Sequence, residues 1–143
     1  MSQSNACTLV LPGKADRIYV DVRLYAGERY YDAKALWDTG AGSSHISETA
    51  VNALLLKDYG VSMCTSASNC YSTTRHIVTI QVFDFAIFED VLVRKLSPEN
   101  TEDMILGMDV IRHFDSVISS ENGRVFFSIR YPSKGAIDFC AET

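Results

Sequence analysis

Several features that would place this chain in a common class are scarce or missing. Its 143 residues include only 8 Gly and 3 Pro, too few for a low-complexity or disordered chain. No segment approaches the ~20 apolar residues that a membrane-spanning helix needs. The first residues form neither a basic segment nor an apolar one, so no secretory signal is visible. We therefore expect one soluble, cytoplasmic domain without a membrane partner.

An excess of basic residues is also missing. Lys and Arg number 13 against 18 Asp and Glu, so the formal net charge is −5. Such a chain lacks the general attraction to phosphates that drives nucleic-acid binding, and we expect no nucleic-acid partner. Five aromatic residues could form a surface for stacking bases, but without a basic stripe we expect them in the core. They are Tyr30, Tyr31, Phe83, Phe85 and Phe88.

The cysteines and histidines lack metal-binding spacing. No C-x2-C pair occurs, and the three histidines are scattered, so we expect neither a metal nor another cofactor. In a reducing compartment the four cysteines are expected as free thiols. Cys64 and Cys70 could still face each other across a hairpin, which leaves a conditional disulfide open. The residues concerned are Cys7, Cys64, Cys70, Cys140, His45, His76 and His113.

The apolar pattern predicts short strands and few helices. Apolar residues alternate over Ile18–Leu24, and a turn at Ala26–Arg29 leads into a second strand that ends at Trp37. Ser47 is placed to cap a helix that Gly60 would end. Asn122-Gly123 between apolar segments is a strong hairpin signal. Further strands are predicted at His76–Asp84 and Val91–Leu96, and a two-turn helix at Gly107–Phe114.

The end of the second strand carries the most chemical information. Apolar residues lead directly into Asp38-Thr39-Gly40-Ala41. A carboxylate among apolar and small residues indicates a tight, partly dry loop, and a glycine lets another backbone pass close by. Three residues alone equally fit a plain turn. The downstream segment Ile105-Leu106-Gly107, just before the short predicted helix, favours the first interpretation.

Together these two segments resemble the retroviral-type aspartic proteases, the retropepsins, and their cellular and bacterial single-domain relatives. The resemblance covers residues 16–132, with 1–15 as an N-terminal strand or tail and 133–143 as a C-terminal tail. It implies a mainly β, small closed barrel-like fold with one or two short helices. It also implies an aspartic endopeptidase acting on a polypeptide, in which Ile105-Leu106-Gly107 packs across the Asp38 loop.

A single Asp-Thr-Gly is only half of such a site. Peptide hydrolysis by this chemistry needs one ionised and one protonated carboxylate across a water. Asp115-Ser116-Val117 lacks the glycine, so no second copy of the motif exists. A two-fold homodimer would bring Asp38 from each subunit together. The resemblance implies that Thr39 bonds across the two-fold axis, that the Gly40 amide bonds the carboxylate, and that Ala41 supports the loop.

The sequence departs from the viral pattern at the dimer brace and at the flap. Viral members carry an acidic residue and an arginine where this chain has Gly42 and Met108. The missing ion pair predicts a dissociation constant on the order of micromolar. A substrate-covering flap is predicted between Gly60 and His76, although a polar surface loop is the alternative. Its tip would comprise Ser66, Ala67, Ser68 and Asn69, between arms at Val61–Cys64 and Tyr71–Thr74.

Three other functions fit parts of the sequence. A non-catalytic dimer module could keep this fold for protein interaction or scaffolding. A small β-barrel binding protein unrelated to proteases would not need the two-fold pairing. Ser43, Ser44 and His45 could suggest a serine hydrolase, but neighbours in sequence rarely form a triad, and no Gly-x-Ser-x-Gly is present.

Overall fold

The computed structural model describes residues 5–65 and 70–142. These residues form two compact units, one comprising Tyr19–Ile111 and the other the described residues up to Ile18 and from Arg112 onward. Within the described residues, no helix is long and apolar enough to cross a membrane. The strands are β1 Asn5–Leu11, β2 Tyr19–Ala26, β3 Arg29–Trp37, β4 His45–Ile46, β5 Val61–Thr65, β6 Cys70–Val82, β7 Ala86–Lys95, β8 Met104–Leu106, β9 Asp115–Glu121 and β10 Arg124–Tyr131, and the helices are α1 Glu48–Ala53, α2 Met108–Ile111 and a 3-10 turn at Phe139–Glu142.

The larger unit is a closed barrel of six strands. Neighbours follow the order β2-β3-β8-β4-β7-β6, and β6 pairs back with β2, while β5 pairs with β6 outside the ring. The expected mainly β, barrel-like fold is therefore confirmed. Alternate residues point inward, as Val20, Val22 and Leu24 do on β2. Each such side chain contributes about 1.5–3 kcal/mol when fully buried, so the alternation holds the barrel together.

The helices are shorter than the sequence pattern predicts. Ser47 caps α1 as expected, its Oγ accepting from the Ala50 amide at 3.1 Å. The helix nevertheless ends at Ala53 instead of reaching Gly60, because Leu55 adopts a positive φ of 50° and breaks the helical path. Helix α2 makes one turn, not two. The amides of Val110 and Ile111 both donate to the Gly107 carbonyl, and the helix ends at Ile111, after which Arg112 and His113 form a non-helical turn.

The aromatic residues expected in the core lie elsewhere. Tyr30 is 57% exposed, and Tyr31, Phe83, Phe85 and Phe88 are half-buried. Aliphatic side chains fill the barrel instead, and the aromatic rings cover its outside. The Arg23 guanidinium lies 4.2 Å from the centre of the Tyr30 ring, and Phe83 stacks on Phe85 at 5.9 Å. The expectation that these five residues form the core is wrong.

The smaller unit is a three-stranded antiparallel sheet in the order β1-β10-β9. The predicted Asn122-Gly123 turn joins β9 to β10, and both residues have the positive φ values, 51° and 76°, that a tight hairpin requires. Asp115, at the start of β9, is almost fully buried. It accepts from Arg130 Nε at 2.8 Å, Ser133 Oγ at 2.5 Å and the Lys134 amide at 2.8 Å. These bonds tie the residues after β10 to the start of β9.

Asp115 should make the protein sensitive to acid. The Ser133 hydroxyl, the Lys134 amide and Arg130 lower the pKa of Asp115 to about 2, from an ordinary value of 3.8. A carboxyl with a depressed folded-state pKa stabilises the fold above its unfolded pKa, and this stability is lost as pH falls through the folded value. Asp115→Asn should therefore lower the urea midpoint at pH 7, and the deficit should shrink between pH 4 and pH 2. Asp16→Asn, at an exposed position, is the control; an equal deficit at both pH values would contradict this.

Candidate active site

The Asp38 loop folds back on its own carboxylate. Strand β3 ends at Trp37, and the Asp38 amide then donates to the Leu106 carbonyl at 3.0 Å. The Gly40 amide donates to Asp38 Oδ1 at 2.9 Å, and the Ala41 amide donates to the Asp38 carbonyl at 3.2 Å. Asp38 is half-buried, whereas Thr39 and Gly40 are exposed. The loop thus holds a carboxylate in one orientation and leaves its tip open to a partner.

Gly107 lies against the backbone of this loop. A Cβ at Gly107 would lie 2.6 Å from the Ser43 carbonyl carbon and oxygen and 2.8 Å from the Ala41 oxygen. The amide of Met108 donates to that same Ala41 oxygen at 2.7 Å. Ile105 and Leu106 pair in parallel with Leu36 and Trp37. The structure therefore brings the two segments singled out in the sequence into direct contact, at a spacing that only glycine permits.

A buried serine and an aspartate lock the loop from behind, an arrangement that sequence reasoning missed. Ser44 is fully buried. Its Oγ donates to Asp109 Oδ1 at 2.8 Å and its amide to Asp109 Oδ2 at 2.9 Å, while the Gly107 amide donates to Ser44 Oγ at 3.1 Å. The available signal was an acidic residue in the first turn of a short helix directly after Gly107. Asp109 and Ser44 brace the loop within one chain, whereas Gly42 and Met108 carry no charge.

Removing the Ser44 hydroxyl should weaken this brace. Ser44→Ala removes one of the donors to Asp109 Oδ1, which still accepts from the Val110 amide at 2.9 Å. It also leaves the Gly107 amide without its buried acceptor, and such a loss costs about 1–3 kcal/mol. Urea unfolding should show this decrease in the free energy of unfolding. The matched control is Ser43→Ala, one residue earlier. Within the described residues the Ser43 hydroxyl makes no hydrogen bond, so this substitution should change stability by less than about 0.5 kcal/mol. Equal effects of the two substitutions would show that the brace contributes nothing.

His45 follows the loop and is held as a neutral imidazole. Burial lowers the pKa of His45, and the charge of Arg94 lowers it further. Because a carbonyl can only accept, Nδ1 must donate to the Ser43 oxygen at 3.1 Å. Nε2 then accepts from the Cys64 thiol at 3.7 Å. No contact among the described residues joins a serine hydroxyl to this ring.

The β5–β6 hairpin corresponds to the predicted flap arms. Cys64 is paired with Tyr71, and Thr65 with Cys70. Since side chains alternate along a strand, Cys64 and Cys70 point to opposite faces of the hairpin. Cys64 is buried, Cys70 is exposed and both thiols are free, so the structure does not support a bridge. The predicted tip, Ser66 to Asn69, lies outside the described residues.

The second acidic motif is a structural one. Both oxygens of Asp115 are engaged by Arg130, Ser133 and Lys134, so this carboxylate is not available as a partner for Asp38.

His113 is exposed. In residues 5–65 and 70–142, no group of three or more His, Cys, Asp or Glu side chains is arranged to hold a metal ion.

Two solved structures that superpose on this chain are proteases. A retropepsin-like aspartic protease from Rickettsia conorii superposes with a TM-score of 0.58 at 11% identity, covering 91% of this chain and 97% of the other. The EIAV protease, solved with the inhibitor HBY-793, superposes with a TM-score of 0.55 at 21% identity, covering 72% and 92%. No protein-family model matches the sequence, and no curated protein matches it either. The chain has a retropepsin-like fold.

Proposed function

We propose that this chain is an aspartic endopeptidase whose active site forms between two copies of itself. The observation that carries the proposal is the Asp38 carboxylate, oriented by the Gly40 amide at 2.9 Å on a loop packed against Gly107 within a retropepsin-like fold. Each protomer supplies one Asp38. Thr39, exposed at the loop tip, bonds across the two-fold axis and keeps the two loops in register.

The reaction divides the work between the two carboxylates. Two carboxylates in close contact cannot both ionise easily, so the pair shares one proton. The ionised Asp38 takes a proton from a water, whose oxygen bonds to the carbonyl carbon of the scissile peptide. The protonated Asp38 donates to the carbonyl oxygen as the carbon becomes tetrahedral. The C–N bond then breaks as the leaving nitrogen takes a proton, and no enzyme-bound covalent intermediate forms.

Incubation with an unstructured protein tests the proposal. Fragments identified by mass spectrometry at pH 5 and pH 7 should show internal cleavage by the wild-type chain. An intact substrate, with a chain shown to be folded and dimeric, would favour a non-catalytic dimer module instead.

Activity should depend on dimer formation. Sedimentation over a concentration series should give a monomer–dimer equilibrium with a dissociation constant on the order of micromolar, because no charged pair stands at Gly42 and Met108. Specific activity should fall on dilution through the same range. Thr39→Ala should raise both the dissociation constant of the dimer and the concentration at which specific activity falls by half, since it removes the hydroxyl between the loops. A monomer that retains full activity at all concentrations would contradict the shared site.

A further inference from the structure

The register of the barrel places five side chains in one row that begins beside Asp38. Each is the direct partner of the next on the neighbouring strand. Paired residues face the same side of a sheet, and strands lie about 4.8 Å apart, so the row spans about 19 Å. In order from β3, the row consists of Leu36, Ile105, His45, Arg94 and Arg75, all half-buried.

The row lies on the outer face of the sheet and begins next to the Asp38 loop. The residues next to it on the same strands, such as Ile46, Val93 and Met104, point into the barrel and are fully buried. Asp38 follows Leu36 by two residues and comes directly after the end of β3. A chain crossing the strands from Asp38 would meet the apolar Leu36 and Ile105 first.

The far end of the row carries two positive charges. Arg94 Nε donates to Ser62 Oγ on β5 at 2.8 Å, and Arg75 Nη2 donates to the Tyr59 carbonyl at 3.3 Å. Arg75 Nε is buried, and no acceptor in the described part of the chain lies within hydrogen-bond distance of it. The ion pairs found in residues 5–65 and 70–142 join other side chains, and none of them includes Arg75 or Arg94.

This arrangement is unfavourable unless an anion joins it. Like charges at directly opposite positions repel, and a buried donor without an acceptor costs free energy. Within the described residues, no ion pair offsets the repulsion between the two guanidinium groups, and Arg75 Nε has no acceptor. His45, the neighbour of Arg94 in the row, offers no compensating negative charge, because an imidazole is either neutral or positive. A guanidinium binds a carboxylate or phosphate in a forked geometry that satisfies several donors together.

We propose that Arg75 and Arg94 form a specificity site for an anionic side chain of the polypeptide substrate, either a carboxylate or a phosphorylated hydroxyl. This inference rests on the proposed function. Arg94 lies three strand spacings from β3, about 14 Å, and an extended peptide advances about 3.4 Å per residue. The anionic residue therefore lies about four residues from the bond that is cut. Ser62 ties the hairpin arm β5 to the same site through Arg94.

Matched peptides test this site. Starting from a sequence cleaved in an unstructured protein, pairs that differ only as Glu or Gln, or as phosphoserine or Ser, are compared at the third to fifth residue on either side of the scissile bond. We expect about a tenfold higher kcat/KM for the anionic member, as for one charge-assisted hydrogen bond to a half-exposed group. The ratio should fall as salt is added. A preference for Glu identifies a carboxylate as the ligand, and a preference for phosphoserine alone identifies a phosphorylated hydroxyl.

Arginine variants separate recognition from folding. Arg94→Gln and Arg75→Gln should each bring the ratio between paired peptides close to one, even where overall activity drops, because both peptides meet the same protein. Arg29→Gln, at the exposed end of the β2–β3 hairpin, removes the same charge and should keep the ratio. If one arginine variant fails to fold, the other variant and the salt dependence of the wild-type ratio give the result.

Three outcomes would overturn the inference in distinguishable ways. Cleavage of neutral and anionic peptides at equal rates would remove the anion site and leave the endopeptidase standing. No cleavage of any peptide or protein by a folded, dimeric chain would remove both. A ratio that stays tenfold in both arginine variants would place the anion preference elsewhere.

Discussion

Asp38→Asn should abolish peptide hydrolysis and leave the fold in place. The amide is nearly isosteric, and its oxygen can still accept from the Gly40 amide that now bonds Asp38 Oδ1 at 2.9 Å. It cannot take a proton from water, and a positioned acid or base contributes about 10³-fold to a rate. We expect at least that loss in kcat/KM, with an unchanged urea midpoint and sedimentation profile. Asp84→Asn, at an exposed turn, is the matched control and should be fully active.

Mixing Asp38→Asn protein with the wild type tests whether two chains share one active site. If each active site uses one Asp38 from each of two chains, excess Asp38→Asn protein should inhibit the wild type by forming mixed dimers that carry a single carboxylate. Excess Asp84→Asn protein should not inhibit. Undiminished wild-type activity, under conditions where mixed dimers are detected, would show that one chain suffices.

Gly107→Ala should disrupt the candidate site through packing alone. Its Cβ would lie 2.6 Å from the Ser43 carbonyl carbon and oxygen and 2.8 Å from the Ala41 oxygen. All three neighbours are backbone atoms, so relief requires the Asp38 loop or β8 to move. Overpacking of this kind costs about 1–3 kcal/mol. Displacement of the carboxylates by about 1 Å can lower a rate by about 10²-fold.

The control for Gly107 comes from the same loop. Gly42 has open space where a Cβ would be placed, so Gly42→Ala should change neither stability nor activity appreciably. Urea unfolding and peptide hydrolysis measured on both variants give the comparison. If Gly107→Ala is as stable and active as Gly42→Ala, the close contact between β8 and the Asp38 loop does not matter for the site.

Elements of this fold that depend on neighbouring residues were predicted most reliably from the sequence. The β2–β3 hairpin follows from alternating apolar residues, and the β9–β10 turn follows from Asn122-Gly123, whose positive φ values suit those two residue types. The Ser47 cap is likewise a property of adjacent residues. Helix length was less predictable, because the end of α1 depends on the backbone conformation at Leu55 and not on the distant Gly60.

Burial of the aromatic residues depended on the whole barrel. The number of aromatic residues is the same whether their rings point into the barrel or away from it. A small six-stranded barrel is filled by aliphatic side chains such as Leu24, Ile80 and Leu106, which leaves Tyr30 at the surface. Composition therefore could not decide where the rings lie, since that depends on the inward or outward phase of each strand.

The chemically notable residues of this protein can be recognised without its fold. Asp38-Thr39-Gly40 and Ile105-Leu106-Gly107 are recognisable as short motifs, and the absence of a second Asp-Thr-Gly is a property of the chain alone. That Ser44 meets Asp109, and that Arg75 and Arg94 lie in one row with Leu36, emerges from the folded chain. Ser44 and Asp109 are 65 residues apart, and the row crosses strands that are not all consecutive along the chain. Their register is set by the packing of the closed barrel, which no local pattern encodes.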